Sequence, residues 1–236
     1  MTIHKDKHFS IFFGDAKNCD VHHKAPEFKK FHQNLSDELG LENLVLNYQK
    51  HGTQGYYIDE STPLTERVML YLNDGDFLIT NKPKVGIGVL TADCLPVVIY
   101  DKKNDILGIA HAGWKGSVAG IAVKMIEMML ARAHFKPEDL TIYFGPSAHE
   151  CCYEVQPDFI ENLEKFAFKA SLITQRDNKL FFNNSLLNKL QLIDLGIAPS
   201  QINLTYNLCT MCNQNFHSYR REKEGYICQA TIAWIR

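Results

Sequence analysis

Residues 85–123 read VGIGVLTADCLPVVIYDKKNDILGIAHAGWKGSVAGIAV, and the rest of the fold can be worked out from them. Three apolar runs in this stretch, Val85–Leu90, Leu95–Tyr100 and Ile106–Ala110, predict strands that are covered on both faces. A helix with a wide apolar face is predicted to follow, from about Ser117 to Ala133. Buried strands that lead into a helix indicate an α/β or α+β fold.

Two short motifs in the same stretch carry chemically active side chains. TADC (Thr91–Cys94) and HAGWKG (His111–Gly116) each stand where an apolar run gives way to a turn marked by Gly or Pro. Strand ends that open into loops are where α/β folds present reactive groups to solvent. We therefore expect the Cys94 thiol and the His111 imidazole to belong to a reactive centre.

The remaining sequence alternates irregularly between helix and strand patterns, without internal repeats or a linker. Residues 55–78 carry Pro63 and Asn73–Asp76, which predict loops and a hairpin-like turn. These patterns predict one domain over residues 1–236. The other predicted elements are strands at Phe9–Gly14, Leu44–Tyr48, Leu140–Phe144 and Tyr226–Ile235, and helices at Pro26–Gly40, from Pro157, and from Asn183 or Asn184 to Gly196.

The composition narrows the class of partner and the compartment. The formal net charge is −2 and the Lys and Arg residues are scattered, so no basic stripe is available for nucleic acid. We find neither the apolar core of a signal peptide nor the run of about 18 apolar residues that a membrane helix needs. These features predict a cytoplasmic protein that acts on small molecules.

The seven cysteines are expected to be thiols, metal ligands or nucleophiles rather than a disulfide framework, because their number is odd and the predicted compartment is reducing. A Cys in an apolar segment is usually a small buried hydrophobic residue. That is the interpretation we give to Cys19, Cys151, Cys152 and Cys228.

One constellation joins His51, Cys94 and His111. His51 follows the predicted strand Leu44–Tyr48, so all three residues stand at strand ends. Two imidazoles and one thiolate form a known catalytic zinc set, in which the fourth tetrahedral position stays open to water or substrate. Taken singly, a histidine is more often a hydrogen-bonded structural residue than a ligand, so the residues alone favour the zinc site only weakly.

A second constellation needs no metal. Cys94 would be a nucleophile and His111 its base, with Asp93 as the group that orients the imidazole. Such a centre would suit a cysteine hydrolase. It requires a lowered pKa at Cys94, which the adjacent Asp93 carboxylate opposes unless it addresses the imidazole instead.

A third candidate lies near the C-terminus. Cys209-x-x-Cys212 with His217 resembles part of a zinc knuckle but lacks a fourth ligand close behind it, which favours two packed thiols. The adjacent Arg220 and Arg221 can grip a phosphate or carboxylate through bidentate hydrogen bonds. A solvated pair beside nearby glutamates is an equally good interpretation.

Taken together, the motifs resemble the YfiH-like family, whose members are also called laccase-domain proteins, polyphenol oxidases and peptidoglycan editing factors. The similarity runs from about Leu44 to the C-terminus. It is carried by Gln49–Gly52, Gly75–Asp76, Thr91–Pro96, His111–Gly116, Gly145–Pro146, Cys152–Val155, Cys209–Thr210 and Ser218–Arg221, in that order.

This resemblance implies a layered sandwich of central mixed β-sheets flanked by helices, with a zinc or copper ion held by His51, Cys94 and His111. It also implies an enzyme that cleaves adenosine, inosine, guanosine and methylthioadenosine with phosphate and deaminates adenosine with water. For the phosphate we single out Lys115, Arg220 and Arg221. The alternatives are the metal-free hydrolase and a protein of cell-wall precursor quality control whose metal is structural.

The sequence departs from the family near its N-terminus. The Arg-x-Gly-Gly segment usual after the first strand is absent, and Phe13–Lys17 reads FGDAK. The metal-ligand motifs are unchanged. The resemblance therefore implies deamination more firmly than phosphorolysis.

Overall fold

Two six-stranded β-sheets, stacked face to face, form the centre of the molecule. The computed structural model describes residues 2–236. The first sheet has the strand order β1-β2-β15-β7-β3-β5 and the second β14-β10-β8-β9-β6-β4. The strands of the first are β1 Thr2–Lys5, β2 Phe9–Phe13, β3 Asn43–Tyr48, β5 Val68–Asp74, β7 Val85–Thr91 and β15 Gln229–Ile235; those of the second are β4 Gly55–Ile58, β6 Phe77–Thr80, β8 Leu95–Asp101, β9 Ile106–Ala112, β10 Leu140–Phe144 and β14 Ile202–Asn203.

The alternation of side chains along the central strands explains why the sheets stack. In β7, Val85, Ile87 and Val89 point toward the second sheet and join the core between the two sheets. The opposite face of β7 carries Gly86 and Gly88, where a Cβ atom would lie only 2.6 Å and 2.7 Å from leucine methyl groups. Both faces of this strand are therefore buried, as the apolar run predicted.

Helices cover the outer faces of both sheets. They are α1 Phe28–Glu38, α2 Trp114–Val118, α3 Ile121–Leu130, α4 Asn184–Asp194 and α5 Tyr219–Glu222. Leu35 of α1 packs on the first sheet, whereas Met125 of α3 and Leu192 of α4 pack on the second. A small third sheet is formed by β11 Glu154–Val155, β12 Ile173–Arg176 and β13 Lys179–Phe182. The predicted fold class, a layered α/β sandwich with mixed sheets, is confirmed.

Several predicted element boundaries were wrong. Residues 55–78 form three strands, and the turn at Asp74–Asp76 is no hairpin because β5 and β6 belong to different sheets. The helix predicted over 117–133 is two helices, separated at Gly120, whose φ of 79° is left-handed. The helix predicted from Pro157 is a 3₁₀ segment, Pro157–Leu163.

The path of the chain brings three connections together at one end of the sandwich. Strands β3, β5 and β7 are parallel neighbours, so their carboxyl ends lie side by side at the same end of the first sheet. Each strand is followed by a connection to the second sheet, and these connections contain His51, Asp76 and Cys94 respectively. The fold therefore has a structural reason to concentrate polar side chains here.

No helix in residues 2–236 combines the length and the apolar character needed to cross a lipid bilayer.

Candidate metal centre

His51, Cys94 and His111 meet at this end of the sandwich. Their potential ligand atoms all lie within 4.8 Å of one another. The two imidazole rings stand nearly perpendicular, with centroids 4.7 Å apart and an interplanar angle of 79°. His111, near the end of β9, is buried, whereas His51 is exposed. The sequence-predicted trio is therefore a real cluster, buried on one side and open on the other.

Asp76 orients the cluster. Its buried Oδ1 accepts a hydrogen bond from His111 Nδ1 at 2.9 Å and from the backbone N–H of His51 at 2.8 Å. Its Oδ2 accepts from the backbone N–H groups of Lys50 and Gly52 at 3.1 and 2.7 Å. Because the Nδ1–H of His111 donates to this carboxylate, Nε2 is the ring nitrogen that remains to bind a metal once it has lost its own proton. The same contacts hold His51 at its left-handed φ of 61°.

The electrostatics of the site favour a thiolate. Burial alone would raise the pKa of Cys94, but the charge of His111 and hydrogen bonds from His111 and His51 lower it to about 6. Burial alone would lower the pKa of His111, but the Cys94 thiolate and Asp76 raise it to about 9. Hydrogen bonds from His111 and backbone N–H groups also keep the pKa of Asp76 low despite its burial. Without a metal, Cys94 and His111 therefore form an ion pair near neutral pH.

Gly113 leaves the space that an ion would need. A Cβ atom at this position would lie 2.9 Å from His51 Cδ2, 3.1 Å from Cys94 Sγ and 3.6 Å from His111 Cε1. The backbone φ of −63° suits any residue, so packing and not conformation requires the glycine. Two imidazoles and a thiolate around such a space fit zinc with an open fourth position, and they also suit copper by ligand type.

Asp93 does not take the orienting role that the metal-free interpretation gave it. Its carboxylate points away from His111 and accepts hydrogen bonds from Thr210 Oγ1, Ser218 Oγ and the backbone N–H of Arg220, at 2.7, 3.0 and 2.7 Å. Asp76 orients the imidazole instead. The part of that interpretation that concerned Asp93 is wrong.

A pocket of about 520 Å³ opens over the cluster, a volume typical of small-molecule sites, which span roughly 300–1,000 Å³. Rings dominate its wall, together with a few polar groups, which is a surface suited to a flat aromatic ligand. The aromatic residues are Tyr48, Tyr71, Trp114, Tyr153, Tyr219 and Tyr226.

Two asparagines in the pocket wall have unused hydrogen-bonding capacity. Asn47, in β3, is only 4% exposed, and neither its Nδ2 nor its Oδ1 has a partner in the described chain. Asn184 donates through Nδ2 to the carbonyl of Ala112, but its Oδ1 is unpaired as well. Buried polar atoms without partners are unfavourable unless a ligand or water satisfies them.

The three predicted phosphate residues have different surroundings. Arg220 lines the pocket, lies over the Tyr153 ring and donates to the Glu154 carbonyl at 2.9 Å. Arg221 donates instead to the backbone carbonyls of Thr210, Met211 and Phe216. Lys115 is exposed beside Trp114 and is not among the pocket-lining residues. The structure thus brings only Arg220 of the three to the pocket wall.

Sequence reasoning missed Asp76 and Asn47 as site residues. Asp76 had been assigned to a turn and to one of the family motifs but given no role in the site, because that role depends on a crossing between sheets that no local pattern reveals. Asn47 did leave a signal, because a lone amide interrupts the apolar run Leu44–Tyr48. The expectation that Cys151 is a buried hydrophobic residue was also wrong, since its thiol is exposed.

Comparisons with known proteins agree with this architecture. A protein named purine nucleoside phosphorylase from Aquifex aeolicus is 33% identical over 212 residues, which cover 89% of each chain. A protein named adenosine deaminase from an unknown prokaryotic organism is 31% identical over 196 residues, covering 79% of this chain and 74% of the other. The crystal structure of the Bacillus licheniformis hypothetical protein YfiH has a TM-score of 0.85 at 22% identity, with 97% and 93% of the two chains covered.

The family model described as "Multi-copper polyphenol oxidoreductase laccase" matches residues 15–236. Because this match spans nearly the whole chain, the protein belongs to that laccase-like family, the YfiH-like family that its motifs resemble.

Proposed function

We propose that this chain is a metal-dependent enzyme of purine nucleosides. It would cleave adenosine, inosine, guanosine and methylthioadenosine with phosphate, and deaminate adenosine with water. The observation that carries the proposal is the position of His51, Cys94 and His111 in the wall of an aromatic pocket. The names of the relatives support the substrate class. Zinc is the metal we propose, and copper is the alternative that the same ligands accept.

The pocket has features that would recognise a nucleoside. Tyrosine and tryptophan rings in its wall offer flat faces on which a purine can stack. The side chain of Asn47 presents an unpaired donor and an unpaired acceptor, and an amide can form a bidentate pair with a nucleobase edge. Such a contact would satisfy a buried amide that otherwise has no partner.

Arg220 is the residue we propose to bind phosphate. One guanidinium nitrogen already donates to the Glu154 carbonyl, but a guanidinium carries five N–H donors in all. Its backbone N–H is fixed by Asp93, so the side chain starts from a defined position. In phosphorolysis a phosphate oxygen would bond to C1′ of the ribose as the C1′–N9 bond breaks, which yields ribose 1-phosphate and a free purine.

In deamination, water replaces the amino group at C6 of adenosine, giving inosine and ammonia. A metal held by the trio would supply Lewis acidity and lower the pKa of water at its open position. The chain would contribute ligand orientation through Asp76, which fixes the proton of His111 on Nδ1. The aromatic walls would exclude bulk water from the purine face.

Product analysis tests the proposal directly. Purified, metal-loaded protein is incubated with adenosine, with and without phosphate. Inosine in both samples indicates deamination, and adenine that forms only with phosphate indicates phosphorolysis. If neither product forms with a metal-loaded chain, the proposal is refuted.

Variants of the ligands test the assignment of the site. His51→Ala, Cys94→Ala and His111→Ala are expected to lose this metal and nucleoside turnover together. His134→Ala is the matched control, because His134 is exposed and does not line the pocket. Unchanged metal content and turnover in all three ligand variants would exclude the site.

One observation favours a second candidate, a metal-free cysteine hydrolase. Cys94 has a lowered pKa of about 6 beside His111, as a cysteine nucleophile requires. The space beside Gly113 and the third ligand, His51, have no role in that mechanism. A chelator separates the two candidates, because only the metalloenzyme is expected to lose activity and to regain it when zinc is added back.

A further inference from the structure

Four cysteines form a second cluster, apart from the metal centre already described. They are Cys151 and Cys152, which precede β11, and Cys209 and Cys212 of the CxxC motif. The four sulfur atoms all lie within 4.8 Å of one another. The sulfurs of Cys151 and Cys212 are 3.7 Å apart, although 61 residues separate them in sequence. None of the four lines the active-site pocket.

We propose that Cys151, Cys152, Cys209 and Cys212 bind one structural zinc ion through four thiolates. In a tetrahedral zinc site with Zn–S bonds of about 2.3 Å, neighbouring sulfurs lie about 3.8 Å apart. The distance of 3.7 Å between Cys151 and Cys212 fits this edge. With four protein ligands no position stays open, so the ion holds structure and performs no chemistry. The proposal does not depend on the proposed enzymatic function.

Two arginines hold the backbone around the cluster. Arg176 donates to the carbonyls of Glu150 and Cys151, both at 2.9 Å. Arg221 likewise donates to the carbonyls of Thr210 and Met211, at 2.7 and 3.1 Å. Each of the two ligand-bearing loops is therefore held by one guanidinium. These two positive charges lie close to a site whose four thiolates and one Zn²⁺ would carry a net charge of −2.

Other uses of the four thiols fit the geometry less well. Two disulfides would satisfy the sulfurs, but the predicted compartment is reducing. A [4Fe–4S] cluster places four iron atoms between its thiolates and so spreads the sulfurs further than a single ion does. A single tetrahedral ion accounts for four sulfurs that all lie within 4.8 Å of one another, with the Cys151–Cys212 pair at 3.7 Å.

The four-cysteine cluster lies next to segments that line the pocket. Tyr153 follows Cys152 directly, and Tyr219 and Arg220 follow Cys212 in the same segment; all three line the pocket. An ion bound by both loops would therefore fix one wall of the pocket. Arg220 also donates across to the β11 strand, at the Glu154 carbonyl, which ties the same two segments together.

Metal stoichiometry of the purified chain tests the proposal. We expect two zinc ions per chain in the wild type and one in the doubly substituted variant Cys209→Ser/Cys212→Ser. We also expect one in Cys94→Ala, which removes a ligand of the first centre only. Cys19→Ala is the control and is expected to keep two, because Cys19 belongs to neither cluster.

X-ray absorption on Cys94→Ala keeps the test decisive if the serine variant does not fold. This variant retains all four proposed ligands, so its zinc is expected to show four sulfur neighbours at about 2.3 Å and no nitrogen. Cobalt substitution of Cys94→Ala gives a second readout, as intense thiolate-to-metal charge transfer that is lost when Cys209→Ser and Cys212→Ser are added to the same variant. Three results would overturn the proposal. The first is that Cys94→Ala contains no zinc after it is refolded in the presence of zinc, and the second is that its spectrum shows nitrogen or oxygen ligands. The third is a disulfide between Cys151 and Cys212 in protein kept under reductant.

Discussion

The substitution Asp76→Asn tests how the fold prepares the metal centre. Asp76 Oδ1 accepts from His51 N and His111 Nδ1, and Oδ2 accepts from Lys50 N and Gly52 N. An asparagine keeps one acceptor and replaces the other by an NH₂ donor. The amide must therefore turn its NH₂ group, which cannot accept a hydrogen bond, toward two of these four donors.

The two orientations of the amide have different costs. With NH₂ toward Lys50 and Gly52, two partly buried N–H groups lose their partner, which costs at most about 2–6 kcal/mol, at about 1–3 kcal/mol for each fully buried donor. With NH₂ toward His51 and His111, only the His51 N–H is orphaned, because the imidazole can change tautomer and accept at Nδ1. The second orientation is preferred, and it places the His111 proton on Nε2, the atom that must bind the metal.

We therefore expect Asp76→Asn to weaken zinc binding at this centre by about 10–100-fold, the usual effect of removing a partner of a metal-ligating histidine. Competition with a chromogenic chelator measures it, in the Cys209→Ser/Cys212→Ser background so that one site is observed. Asp74→Asn is the matched control, since Asp74 is exposed and its side chain pairs with that of Lys50 at 3.5 Å, outside the cluster. Equal zinc affinity in the two variants would refute the orienting role of Asp76.

Four further predictions follow from the same geometry. Gly113→Ala places a methyl group 2.9 Å from His51 and 3.1 Å from Cys94, so a strain of about 1–3 kcal/mol is expected to weaken zinc binding roughly tenfold in the same chelator assay. The resistance of metal-free protein to urea is expected to change by less than about 1 kcal/mol between pH 6 and 9, because the stability from the lowered pKa of Cys94 grows as the pH rises from about 6 to the unfolded value of 9.0, while that from the raised pKa of His111 falls between the unfolded value of 6.5 and about 9; a steep change within this window would contradict the ion pair. Arg220→Ala is expected to raise the KM for phosphate at least about tenfold, as loss of a charge-assisted hydrogen bond predicts, while Lys115→Ala changes it less; equal effects would remove Arg220 from the phosphate site. Asn47→Ala is expected to lower kcat/KM for adenosine by about 10–100-fold without lowering the melting temperature, because the amide has no partner to lose in the free protein; a loss of stability with unchanged kinetics would make Asn47 a structural residue.

The sequence was most informative where burial is continuous. The apolar runs at 85–90, 95–100 and 106–110 became β7, β8 and β9 because a strand covered on both faces needs apolar residues at every position. Strands β4 and β5 were missed because their burial is only partial. Strand β6 is fully buried, but it has only four residues and follows the turn residues Asn73–Asp76 directly, so it too was missed. The split at Gly120 was missed because the apolar face continues across it, and only the left-handed backbone separates the two helices.

For the site, the sequence identified the three proposed ligands but not the residues that hold them in place. His51, Cys94 and His111 were recognisable because each stands at a strand end. Asp76 and the four-cysteine cluster depend instead on which distant segments meet. Cys151 and Cys212 come close because the loop after β10 runs beside the CxxC segment. The two segments are joined there by a parallel bridge between Ser147 and Cys209. Sequence spacing does not contain that information.

The structure also resolves a conflict within the TADC motif. A carboxylate directly before Cys94 would oppose its thiolate, yet Cys94 has a lowered pKa of about 6. The Asp93 charge is directed elsewhere, to the hydroxyls of Thr210 and Ser218 and to the backbone N–H of Arg220. Its left-handed φ of 83° turns the side chain and the following thiol to different neighbours. One dipeptide thus serves two purposes: Cys94 joins the cluster with His51 and His111, and Asp93 holds the late segment that carries the pocket residues Tyr219 and Arg220.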